Sequence, residues 1–114
     1  MQFLMIISHD ESFVPAENLV EETISWVREM ASRGIRKYGN PLRPAEDAKT
    51  VRVREGKLLL TDGPFAACKE QICAYDLIEC GSFEEAIEVA SRHPMARAAS
   101  IEVRPIWSDL AKAG

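Results

Sequence analysis

Asp62, in the run Thr61-Asp62-Gly63-Pro64-Phe65, is the first residue whose type and setting could do chemistry. A carboxylate at a strand end beside a pocket can serve as a general base. An aspartate ahead of Gly-Pro can equally accept backbone hydrogen bonds and shape the turn. Gly63 is expected to supply a backbone conformation closed to other residues, Pro64 to stiffen the chain after it, and Phe65 to plug the loop into the core. Lys69 and Glu70 could hold a substrate or pass protons, or could form a solvated loop surface. Arg104 alternates with Ile101 and Val103. If those two face the helices, Arg104 faces the other side of the sheet, where it must pair with a carboxylate or bind an anion. Glu102 and Asp76 are the carboxylates expected on its face, with Tyr75 on the opposite one. A small anionic ligand at Arg104 is one expectation; a structural ion pair is the other.

His93, just before Pro94, is a second candidate for acid–base work. The competing reading places it at the surface, where a positive charge at a helix end suits the helix dipole. His9, Asp10 and Glu11 are adjacent in sequence, so their side chains diverge and suit one metal ion poorly. The run Gly34-Ile35-Arg36-Lys37-Tyr38-Gly39 continues Asn40-Pro41, without the lysine and hydroxyl that a phosphate loop requires. GxGxxG, HExxH and GxSxG do not occur. No cofactor and no metal are expected. The three cysteines, Cys68, Cys73 and Cys80, have no CxxC spacing and an odd count, against a disulfide framework or a structural zinc site. They point to a reducing cytoplasm. A net charge of −4 supplies no basic surface, so neither nucleic acid nor an anionic membrane is an expected partner. The apolar start, MQFLMIIS, lacks the basic region and length of a secretory signal and reads as a buried strand.

These residues need elements to hold them. Residues 2–8 read as a strand apolar on both faces. Over 17–33, Val20, Ile24, Val27 and Ala31, with Leu19, Trp26 and Met30 alongside, recur at helical spacing between Pro15 and Gly34. Residues 35–48 form a short strand or a loop. VRVR-EG-KLLL is a hairpin with a two-residue turn at Glu55-Gly56. This register sets Val53 opposite Leu58, Val51 opposite Leu60 and Arg54 opposite Lys57. Residues 61–72 are a loop and 73–80 a strand. Ser82 caps a helix, with Glu85 in a capping box and Phe83, Ala86, Ile87 and Ala90 as its buried stripe. Pro94 ends it, and 100–107 is the last strand. One domain is expected over 1–107, with a short, partly mobile tail at 108–114.

The length of 114 residues allows one compact domain. Two amphipathic helices on one face of an antiparallel sheet make an α+β fold of ferredoxin-like topology. The first strand is apolar on both faces, yet the chain has helices for one of them. A second copy packed on the open sheet face, a homodimer, solves this.

The stretch VRVREGKLLLTDGPF, the Lys69-Glu70-Gln71 downstream of it, and IEVRPIW resemble the DGPF subgroup of the YCII-related family. The resemblance runs from Met1 to Trp107. It implies a dimeric α+β barrel, in which two ferredoxin-like subunits pack sheet to sheet, and kinship with muconolactone isomerase-like enzymes. It also implies acid–base catalysis by a histidine and an aspartate, but the family histidine near the first helix is replaced here by Glu17-Asn18. Two functions arise as expectations. One is a small-molecule enzyme of isomerase or lyase type, with Asp62 as base and Arg104 orienting the substrate. The other is a non-catalytic ligand-binding or interaction module on the same scaffold.

Overall fold

The computed structural model describes residues 1–65, 68–108 and 110. Strand β1 (Gln2–His9) leads to helix α1 (Leu19–Ser32) and strand β2 (Arg36–Pro41). A 3-10 turn (Ala45–Asp47) precedes the hairpin of β3 (Lys49–Arg54) and β4 (Lys57–Asp62). Strand β5 (Gln71–Glu79), helices α2 (Phe83–Ser91) and α3 (Pro94–Ala98), and strand β6 (Ser100–Pro105) complete the order. The strands form an antiparallel sheet ordered β2-β5-β1-β6, compatible with the ferredoxin-like topology, and the hairpin stands apart as a two-stranded ribbon.

Alternation along β1 decides the two faces. Phe3, Met5 and Ile7 are buried beneath the helices; their cross-strand partners include Ile78, Asp76 and Ala74 on β5 and Val103 and Ile101 on β6. Leu4 and Ile6 point the other way, across from Leu77 and Tyr75 and from Arg104 and Glu102. Trp26 and Met30 of α1 and Ala86, Val89 and Ala90 of α2 close the core. The Trp26 indole N–H donates to the Val89 carbonyl at 3.0 Å, which satisfies a buried donor and locks α1 to α2. This bond turns both helices away from the expected stripes. Val20, Ile24 and Ile87 are exposed, and Val89 takes the buried place expected for Ile87. Phe83 keeps only an edge contact, its ring 5.3 Å from that of Phe3.

Local signals explain the boundaries. Gly34, with φ +72°, ends α1 in the left-handed region. The Ser82 hydroxyl accepts the Glu85 N–H at 3.1 Å, forming the expected cap of α2 without the reciprocal bond from the Ser82 N–H to the Glu85 carboxylate that a full capping box has. Pro94 does not merely stop that helix. It begins a third one, because its missing N–H and fixed φ suit the first helical position. Residues 36–41 are a strand, so the Gly34–Gly39 run is a helix stop feeding an edge strand. The hairpin has the expected register, and Glu55 (φ +53°) and Gly56 (φ +75°) are both left-handed, as a type I′ turn requires. The strand β5 starts two residues earlier than expected and β6 stops at Pro105. The expected mobility of the tail concerns residues that, apart from Ser108 and Leu110, lie outside the described ones, as do residues 66 and 67 of the 61–72 loop. Among the described residues no helix is long and apolar enough to cross a membrane.

Candidate functional site

Two places gather polar side chains. The first is a cavity of about 350 Å³ between α1 and the sheet. Its walls are apolar, with Ile7, Phe13, Leu19, Val27 and Met95 among them, and its polar groups are few. Asp76 and His93 are 5% and 2% exposed, the two buried polar residues among the described ones. Arg36 joins them from the edge strand.

Asp76 lies opposite Met5 on the helix-covered face, so it does not share a face with Arg104 as expected; the β5 alternation gives that face to Leu77 and Tyr75. Its partner is Arg36, whose Nε donates to Asp76 Oδ1 at 2.7 Å while Nη2 donates to the Gly39 carbonyl at 3.0 Å. Arg36 therefore fixes the carboxylate and stitches the irregular register between Arg36 and Tyr38. Burial pushes the Asp76 carboxyl above the usual range, and the Arg36 hydrogen bond and charge pull it back. Room for this pair comes from Gly39. A Cβ there would overlap Asp76 Oδ1 and the Tyr75 carbonyl.

His93 is not a surface cation. It caps α3, its Nδ1 accepting the Met95 N–H at 3.0 Å, and its ring meets the Trp26 ring edge-on at 4.7 Å. An Nδ1 that accepts has no hydrogen, so the neutral ring carries its proton on Nε2. Burial, with the Arg36 charge second, lowers its pKa from 6.5 to about 4, so the ring is neutral at pH 7. Among the described residues neither His93 Nε2 nor Arg36 Nη1 has a hydrogen-bond partner. No buried side-chain nitrogen is left unsatisfied, so neither atom is fully sealed in, and both residues line the cavity. His9, stacked on Phe13 at 4.7 Å, lines the same cavity, as does Asn40, whose amide donates to the Tyr75 hydroxyl at 3.2 Å.

The second place is a wide groove on the open side of the sheet, about 1130 Å³, with Arg104, Glu102, Glu70, Lys49 and Phe65 among its lining. Arg104 is exposed and pairs with Glu102 at 2.5 Å. Asp62 is exposed at the end of β4 and pairs with Lys49 at 2.5 Å; it does not line this groove. Glu70 accepts from the Ser100 hydroxyl at 2.9 Å. Lys69 is exposed and borders a neighbouring depression with Pro64. Gly63 has φ +96° and its carbonyl accepts from Thr50 at 2.8 Å, so the turn is built as expected. Phe65 is 76% exposed and plugs no core, because the loop carrying it leaves the projecting hairpin instead of folding under the helices. Cys80 is buried, Cys73 half-buried and Cys68 exposed; all three are free thiols.

Arg36 escapes sequence reasoning because it stands inside a run weighed only as a phosphate loop. A charge at the start of the edge strand Arg36–Pro41, bonded to an aspartate in the neighbouring strand, is the available signal. His-Pro-Met-Ala-Arg-Ala carries the other one, a capping side chain ahead of a helix-starting proline.

A protein of Rhizobium meliloti (strain 1021) described as uncharacterized is 40% identical over 65 residues, covering 55% of this chain. The chain matches 52% of the length of that relative. The sequence model of the YCII-related domain matches residues 1–108, all of the sheet and helices described above. The chain belongs to the YCII-related domain family.

Proposed function

We propose that this protein is a small-molecule enzyme of the DGPF kind that moves a proton in the cavity beneath α1, by an isomerase- or lyase-like reaction. The observation that carries this reading is the placing of Asp76, Arg36 and His93 in one largely apolar cavity. Polar groups in such surroundings cost stability unless paired, and here His93 Nε2 and Arg36 Nη1 have no partner among the described residues. Asp76, its carboxylate oriented by Arg36 and made more basic by burial, is the proton acceptor. His93, neutral with hydrogen on Nε2, donates to the oxygen on which charge develops. A second copy of the chain covers the open sheet face, and three free thiols suit a reducing cytoplasm. The groove with Arg104, Glu102 and Glu70 lies toward that second copy, with Asp62 at the end of β4 and Lys69 on the loop before β5 outside its lining.

The test is incorporation of solvent deuterium into a panel of neutral carbonyl compounds. Asp76→Asn should fold and lower the rate by about two to four orders of magnitude. Incorporation unchanged in Asp76→Asn would overturn the assignment of the base.

A non-catalytic binding module is the second reading. The bond from Arg36 to the Gly39 carbonyl favours it, since a pair that stitches an edge strand has a structural use of its own. Binding of carbonyl compounds in the cavity with no deuterium incorporation into any would decide for this reading.

A further inference from the structure

We infer that the cavity beneath α1 selects an uncharged ligand, a compact apolar body bearing one carbonyl oxygen, and rejects carboxylates and amines of the same shape. The inference rests on the cavity being the ligand site and adds the chemical class of the molecule that enters. Its basis is the balance of charge on the floor. The Arg36 cation is already matched by Asp76 at 2.7 Å, and a second anion would have to displace that carboxylate or share its guanidinium. The Asp76 charge is likewise matched by Arg36, bound through Oδ1, so an ammonium meets no uncompensated anion. His93 adds no charge, because its Nδ1 is committed to the Met95 N–H. Beside the matched Asp76–Arg36 pair, His93 Nε2–H and Arg36 Nη1–H are two donors without a partner among the described residues, while His9, Thr23 and Asn40 line other parts of the cavity. A carbonyl oxygen, with two lone pairs, can accept from both. Either ion would leave water for walls of Ile7, Leu19 and Val27 without a counter-charge, which costs far more than moving a ketone. This sets the cavity apart from the open groove, where Arg104 is exposed to solvent.

Four probes with one aromatic ring separate these terms: acetophenone, benzoate, benzylammonium and toluene, titrated into the full chain at pH 7. Amide and side-chain NMR shifts at Ile7, Asp76, His93 and Met95 report occupancy. Acetophenone should bind at least about tenfold tighter than either ion and tighter than toluene. Asp76→Asn leaves the Arg36 charge unmatched, so benzoate affinity should rise by about tenfold or more and overtake the ketone. Benzoate binding the wild-type cavity as tightly as acetophenone would overturn the charge argument while leaving the site intact. Shifts at these residues with none of the four probes would overturn the site, and the inference with it.

Discussion

His93 shows at the residue scale how much a single burial changes. A histidine before a proline looks like a helix-end cation, yet here the same dipeptide starts a helix, and the cap consumes Nδ1. The consequence is a pH dependence of stability. Its folded pKa of about 4 lies below the ordinary 6.5, so between those values the unfolded chain binds more protons. Stability from this group is therefore complete above pH 6.5, falls as pH drops toward 4, and loses nothing more below that. The gap corresponds to about 3 kcal/mol. Asp76, whose pKa is raised, acts in the opposite sense, weakening the fold as pH rises through its titration. His93→Asn keeps a good capping side chain and cannot titrate. Urea denaturation from pH 7 to 4 should show a smaller loss for this variant than for wild type by about 3 kcal/mol; parallel losses would mean that His93 is protonated inside the fold. The sequence offers Asp76 and His93 as separate candidates and cannot bring them together, because that requires knowing that α1 and α3 roof the same stretch of sheet.

At the scale of elements, local patterns are legible and long-range ones are not. The hairpin register, the Ser82 cap and the stop at Gly34 are each decided within a few residues, and each is found as expected. The buried stripes of α1 and α2 differ from expectation, because periodicity marks an apolar arc without saying which edge of it meets the sheet. That choice is made by the Trp26 bond to Val89, 63 residues away. Edge strand β2 is ambiguous in sequence for the same reason: its pairing with β5 rests on Arg36, Asp76 and the space at Gly39. Gly39→Ala should drive the Asp76 carboxylate from its place and cost at least about 2 kcal/mol. An unchanged urea midpoint would show that the strand can move aside. Gly56→Val, by contrast, meets no neighbour and is strained only through its positive φ, at about 1–3 kcal/mol. Since β3 and β4 pair with no strand of the main sheet, this strain should appear as faster hydrogen exchange in Val51–Leu60 while the core amides are unaffected. Equal acceleration throughout the chain would contradict the hairpin's independence.

The whole molecule is a flat body, 47 × 42 × 19 Å, with a radius of gyration of 16.1 Å. A compact chain of this length has about 13 Å. One helix layer on one sheet accounts for the thickness, and the projecting hairpin for the excess. The hairpin has an uncovered apolar face: Val51, Val53, Leu58 and Leu60 are all more than half exposed on it, and Phe65 stands beyond it. Contiguous surfaces of this kind mark interfaces. A homodimer through the open face should bury more than about 2,000 Å² and give twice the chain mass by light scattering at micromolar concentration; a single chain mass would refute it. Such a dimer covers Arg104 and Glu102 and leaves the cavity beneath α1 on the outer layer, so the two candidate regions can be told apart by where a ligand sits. A crystal structure of the protein soaked with acetophenone makes that comparison most directly. The ketone is expected beneath α1, its oxygen within hydrogen-bonding reach of His93 Nε2 and Arg36 Nη1; a ketone bound instead against Arg104 on the open sheet face, with the cavity empty, would contradict the assignment of the site.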